Sequence, residues 1–207
     1  MKRRAQGQTW EGETFKSLDL SSTLAFGSKW DGCTFESCDL TKAEFPTAKF
    51  NNCIFYDCDL LAASFQATQM HHVIFENCRA KHSVFAGATP LDDVRFLNCQ
   101  LHYSTFYDST VNSMRFVDTN LHGADLRYIE CREPVVYDGV VLWGAQTAFG
   151  CQFWNGQFDE RSVNLFLALV ARKHQDVDKR KMLEEMAGAT NVGIVERLMG
   201  ERDLVEA

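Results

Sequence analysis

The chain has 207 residues, 45% of them hydrophobic, and 28 acidic against 21 basic side chains leave a formal net charge of −7. That length fits one domain of ordinary size, and an acidic balance with no clustered Lys or Arg argues against direct nucleic-acid binding, which needs grouped cations. No apolar run follows the basic start Met1-Lys-Arg-Arg4, so neither a signal peptide nor a membrane span is expected.

Residues 1–12 contain Trp10 and scattered charge without a regular unit, and are read as an N-terminal cap. From residue 13 a period of five takes over. Large apolar residues recur at Phe15, Leu20, Trp30, Phe35, Leu40, Phe45, Phe50, Phe55, Leu60, Phe65, Met70, Phe75 and Phe85, while Ala25, Ala80 and Pro90 keep the count. One residue is inserted near 89–93, and the count resumes at Phe96, Leu101, Phe106, Val111, Phe116, Leu121 and Leu126. A helix repeats its apolar face at three and four, and a strand at two. A sustained five excludes both and marks a solenoid.

Residues twenty apart are more alike than residues five apart. One series reads Phe15, Phe35, Phe55, Phe75, Phe96 and Phe116; the next reads Leu20, Leu40, Leu60, Ala80, Leu101 and Leu121. A third runs Ala25, Phe45, Phe65, Phe85, Phe106 and Leu126, and a fourth Trp30, Phe50, Met70, Pro90, Val111 and Cys131. Four units therefore make a coil, and equivalent residues should stack about 4.8 Å apart. Six of the eight cysteines, Cys33, Cys38, Cys53, Cys58, Cys78 and Cys99, fall at the small position two before a unit's centre. Cys38, Cys58, Cys78 and Cys99 share one side. Buried Cys serves as a small hydrophobe; the alternative, a string of metal-binding or redox thiols, has no His or acidic partner inside the rod. Reduced thiols predict a cytoplasmic location.

The units Cys38-Asp39-Leu40, Cys58-Asp59-Leu60 and Ala124-Asp125-Leu126 resemble the pentapeptide-repeat family, whose repeat reads Ala-Asp/Asn-Leu-x-x with Phe often at the centre. The resemblance runs through the whole array. It implies an all-β solenoid, a right-handed quadrilateral pentapeptide-repeat β-helix with four units per coil. Cys then stands where the family prefers Ala.

The inserted residue within Ala88-Thr-Pro-Leu-Asp-Asp93 reads either as a tolerated slip or as a projecting bulge, since Pro90 has no amide hydrogen for a ladder. After Leu126 the register is expected to decay over about 129–150, with Glu133 to Trp143 as irregular strand and a last coil in shifted register ending at Phe158. From residue 159 to 207 the pattern turns helical. Ser162 is a candidate N-cap and Val163, Phe166, Leu167 and Val170 mark one face. This segment is read as a small α-helical C-terminal cap, or as a homodimer or partner face carried by Val163, Phe166 and Val170.

Outward charge collects at the edge between the Phe and Leu sides, at Asp19, Glu36, Asp39, Asp57, Asp59 and Glu76, with Asp118 further on and Lys16 the one nearby cation. Two readings stand. Asp is the family's usual residue before the central Leu, where it can bond the turn backbone; alternatively, the carboxylates form a partner surface. Some family members, including those protecting bacteria from quinolones, resemble duplex DNA in width and negative surface and bind type II topoisomerases. The resemblance thus implies a protein partner, with DNA gyrase or topoisomerase IV as the specific version. This chain departs from those members in lacking a long projecting loop and in its longer helical tail. A scaffold whose C-terminal helices engage the partner is the alternative.

His102 and His122, twenty apart with Lys81, His82 and Tyr103 nearby, could share a metal or move protons; as solvated surface side chains they would do neither. No phosphate loop, His-Glu-x-x-His or Gly-x-Ser-x-Gly motif occurs. A non-enzymatic protein without cofactor is expected.

Overall fold

The period of five becomes geometry in the computed structural model, which describes residues 5–133, 135–141, 145 and 157–158. In chain order the strands are β1 (Thr9–Glu11), β2 (Thr14–Lys16), β3 (Lys29–Asp31), β4 (Thr34–Glu36), β5 (Lys49–Asn51), β6 (Ile54–Tyr56) and β7 (Gln69–Glu76). They continue with β8 (Leu91–Leu97), β9 (Thr110–Val111), β10 (Met114–Val117), β11 (Glu130–Cys131), β12 (Val136–Asp138) and β13 (Gln157–Phe158). All pairings are parallel, each strand lying on its counterpart one coil away. Among the described residues every element is a strand, and no helix is long and apolar enough to cross a membrane.

Four walls enclose the core. The first stacks Phe15, Phe35, Phe55, Phe75, Phe96 and Phe116 in register. Bridges between Asp19, Asp39, Asp59, Arg79, Gln100, Asn120 and Val141 mark the second wall, and bridges from Leu24 through Glu44, Ser64, Val84 and Thr105 to Asp125 the third. The fourth stacks Trp10, Trp30, Phe50 and Met70. Phe35, Phe55, Phe75, Phe96 and Phe116 are fully buried, as are Cys38, Cys58, Cys78 and Cys99, whereas Phe15 in the first coil is half-buried.

Ring geometry explains why like packs on like. Phe35 and Phe55 lie 4.6 Å apart and 2° from parallel, and Phe55 and Phe75 4.7 Å and 10°. Rings from neighbouring walls meet edge on, as Phe55 does Phe65 at 5.9 Å and 83°. Offset-stacked and edge-to-face contacts are the two favoured aromatic geometries, each contributing about 0.5–1.5 kcal/mol beyond burial.

The corners follow equally strict arithmetic. Positive φ recurs at every fifth residue through the first four coils, as at Ser37 (51°), Lys42 (56°), Thr47 (57°), Asn52 (52°), Asp57 (52°) and Ala62 (54°). That conformation costs a non-glycine residue about 1–2 kcal/mol. It turns the corner amide toward the next coil: Lys42 N–H donates to Leu61 O at 2.8 Å, and Ala62 N–H to Lys81 O at 2.8 Å. Each such bond between coils contributes about 0.5–1.5 kcal/mol.

Three boundaries differ from the sequence reading. Trp10, placed in a cap, lies in β1 and stacks on Trp30 at 5.6 Å, so the ladder begins before residue 13. Leu91, not Pro90, takes the interior position opposite Met70. The extra residue is absorbed before it without a projecting loop, and Pro90 joins the ladder by accepting a hydrogen bond from Met70 N–H at 3.0 Å. Register also survives past Leu126: after a second one-residue slip between Cys131 and Val135, Tyr137 stacks beneath Phe116 and Phe158 pairs with Tyr137. Fully buried Tyr137 is why the wall holds there. The helical segment expected over 159–207, with Ser162, Val163, Phe166, Leu167 and Val170, lies outside the described residues.

Candidate functional site

The corner between the first and second walls is built by three columns of outward positions. Asp19, Asp39 and Asp59 stand in register on successive coils. Glu36, Tyr56 and Glu76 form a second column one residue after each inward Phe. Asp57 occupies the positive-φ corner position itself, equivalent to Ser37, Asn77 and Asn98. The six carboxylates expected from the sequence are thus brought together on the first four coils.

Their partners differ. Asp19 Oδ1 accepts from Ser21 N–H at 3.0 Å, Asp39 Oδ1 from Thr41 N–H at 2.9 Å and Asp59 Oδ1 from Leu61 N–H at 3.1 Å. The turn-stabilising reading of these aspartates therefore holds. Lys16 Nζ lies 2.6 Å from Glu36, and Arg79 2.8 Å from Asp59. Among the described residues no Lys or Arg pairs with Asp39, Asp57 or Glu76. Arg79 could not be seen as a partner from spacing alone, although it continues the Asp19, Asp39, Asp59 column and ends its acidic run. Beyond it the column reads Gln100 and Asn120, and the corner column passes through Asn77 and Asn98, joined by a 2.8 Å hydrogen bond. The acidic edge is local. Asp118 stands apart from it, beyond these amides.

Sequence reasoning passed over two features. On the outside of the first wall, Ile54 and Tyr56 are exposed where the preceding coil has Thr34 and Glu36. Comparing outward positions coil by coil would have found them. At the opposite end of the same wall, His71 faces Asp92 at 3.1 Å and His72 faces Asp93 at 3.0 Å, with Arg95 in double contact with Asp93. Arg95 first, then His72, holds the Asp93 carboxyl below its usual value.

His102 and His122 do come together, with ring centroids 6.1 Å apart. His122 Nε2 is engaged by the Tyr103 hydroxyl at 3.0 Å, and Tyr103 stacks on His82 at 5.3 Å. Burial, followed by the charges of Lys81 and His122, pushes His102 below the ordinary imidazole value. Among the described residues no group of three or more His, Cys, Asp or Glu side chains could hold a metal ion. The cysteines face backbone oxygens: Cys58 Sγ donates to Phe35 O at 3.3 Å and Cys78 Sγ to Phe55 O at 3.3 Å. Burial pushes Cys53 up to about 12, and hydrogen bonding to Cys58 and Cys99, with burial, keeps Cys78 protonated. Cys53 and Cys78 are therefore poor nucleophiles, whereas hydrogen bonding from Cys78 lowers Cys58 and Cys99, which burial keeps from solvent.

A family model described as a pentapeptide repeat region matches residues 28–90 and 58–126. No curated protein matches the chain. Among solved structures, a trypsin-treated form of QnrB1, described as a plasmid-mediated fluoroquinolone resistance protein, is similar at 18% identity and TM-score 0.38, covering 80% of this chain and 94% of that one. Rfr23, a pentapeptide repeat protein from the cyanobacterium Cyanothece 51142, is similar at 12% identity and TM-score 0.26, covering 76% and 92%. HetL of the cyanobacterium Nostoc sp. strain PCC 7120, described as involved in heterocyst differentiation regulation, is similar at 13% identity and TM-score 0.27, covering 71% and 86%.

Proposed function

Because the repeat array of this chain belongs to the pentapeptide-repeat family, we propose that it is a non-enzymatic rod that binds another protein through its acidic edge. The specific form of the proposal is occupation of a basic groove built for DNA, in a type II topoisomerase such as DNA gyrase or topoisomerase IV, or in another DNA-binding enzyme. One observation carries this reading. Asp39, within the in-register aspartate column, and Asp57 and Glu76 beside that column have no Lys or Arg paired to them among the described residues. Turn hydrogen bonding accounts for an Asx oxygen at Asp39, but it does not require a charge: Asn120 fills the same column and accepts from His122 N–H at 2.9 Å. Charge at this edge is therefore more than the turn requires, and this reading assigns it to the partner. Complementary fields steer association and select partners.

The chain supplies its own controls for the test. Asp39→Asn and Asp57→Asn reproduce residues found at the same positions in later coils, Asn120 and Asn77, and Glu76→Gln keeps side-chain length. Binding of the triple variant to purified gyrase and topoisomerase IV is measured against wild type across a salt series. Loss of binding, with a shallower salt dependence and an unchanged unfolding midpoint, is expected. Unchanged binding by the variant, or capture that depends only on residues 160–207, refutes the edge as the binding surface.

A further inference from the structure

Charge is not the only unusual property of this corner. Along the first wall the residue before each inward ring reads Thr14, Thr34, Ile54, Ile74 and Arg95 in register, and the residue after it reads Lys16, Glu36, Tyr56, Glu76 and Leu97. Both flanking positions point outward, because alternate side chains on a strand take opposite faces. Ile54 and Tyr56 therefore emerge side by side around buried Phe55, at 38% and 37% exposure. Ile74 stacks on Ile54 one coil further, and Tyr56 stands between Glu36 and Glu76.

We propose that Ile54, Tyr56 and Ile74 are the apolar centre of the partner-binding surface, and that its occupant is a cationic protein segment carrying apolar side chains beside its Lys or Arg. This rests on the acidic-edge reading above. Protein interfaces place an apolar, aromatic-rich centre inside a polar rim, and tyrosine is prominent among the residues that dominate binding. Here Glu36, Asp57 and Glu76 supply the rim on one side. A neutral or acidic partner would leave Asp57 and Glu76 without a cation, and a ligand of positive charge alone would leave the isoleucines uncovered. Charge then governs how fast the partner arrives, and the apolar centre how long it stays.

The test uses two synthetic probes of equal charge, a peptide of alternating lysine and leucine and an oligolysine, titrated into the full chain from about 0.05 to about 0.5 M salt. The perturbed protein carries Ile54→Thr, which copies Thr34 in the preceding coil, with Tyr56→Gln. The lysine–leucine peptide should stay bound to wild type at the higher salt and bind the variant about tenfold or more weakly. Oligolysine should be released by salt and bind both proteins alike. If the variant binds the lysine–leucine peptide as wild type does, or salt releases both probes in parallel, the apolar centre is refuted. If neither probe binds wild type at low salt, the acidic-edge reading fails first and takes this inference with it.

Discussion

Phe55→Ala removes the middle ring of a stack whose neighbours cannot follow it. Phe55 is fully buried, lies between Phe35 at 4.6 Å and Phe75 at 4.7 Å, and meets Phe50 and Phe65 edge on at 5.7 and 5.9 Å. The flanking coils are held apart by ladder bonds, including Ile54 N–H to Cys33 O at 3.0 Å and Ile74 N–H to Cys53 O at 3.0 Å. Phe35 and Phe75 would then face each other across the vacated space. Large-to-small truncation of a buried Phe costs about 3–5 kcal/mol, and sites that cannot collapse fall at the upper end. For a chain of this size the loss lowers the melting temperature by roughly 10 °C or more. Phe26→Ala provides the contrast, since Phe26 is 48% exposed in the first coil, and it should cost less than about 1 kcal/mol. Urea unfolding of both variants is the assay. Equal losses, or a loss below about 1.5 kcal/mol for Phe55→Ala, would refute the stacked-wall account.

The thiols offer a second check: a thiol reagent applied to native protein should leave Cys33, Cys38, Cys53, Cys58, Cys78 and Cys99 unmodified until denaturant is added, because all six are buried. Prompt native labelling of any of them would contradict the register. His102 is held below the ordinary imidazole value, so the fold prefers its neutral form and the unfolded chain takes up the proton first as pH falls. Its contribution is complete above an unfolded value near 6.5 and is lost as pH drops through that value toward the lower folded one. His102→Gln should flatten that part of the stability profile, and an NMR titration midpoint for His102 at or above the free value would overturn the assignment. Gly123→Ala should destabilise by more than about 1 kcal/mol, since Gly123 has φ of +65° and a Cβ there would come 2.5 Å from the Tyr103 ring. Tyr103→Ala in the same chain should recover part of the loss; strict additivity of the two changes would show that the ring is not what the methyl meets.

The walls were legible because a repeat of twenty needs only counting: the cysteines at 38, 58, 78 and 99 and the Phe series fell where the arithmetic put them. Counting failed where one extra residue could be absorbed on either side of a position. Only strand pairing chooses Leu91 over Pro90, and the same ambiguity made the wall seem to fade before Tyr137 rejoined it. Trp10 was missed because a single unit at the start of an array has no predecessor to be compared with. At the surface, counting places Asp19, Asp39 and Asp59 in one column, as the strand register does. It could not show that Asp39 bonds a turn amide or that Arg79 reaches back to Asp59, because these depend on side-chain direction. It also overlooked Ile54 and Tyr56, since apolar residues were sought inside the rod.

The two slips bear on how such a molecule changes length. Between Phe75 and Phe96, and again between Phe116 and Tyr137, the wall accepts a storey of twenty-one residues in place of twenty and carries on unbroken. Gene segments encoding either count could therefore be duplicated or excised without rewriting the storeys on either side. Height becomes an inherited quantity adjustable in steps of about 4.8 Å, and whatever is displayed at the corners can be raised or lowered against a fixed partner one floor at a time.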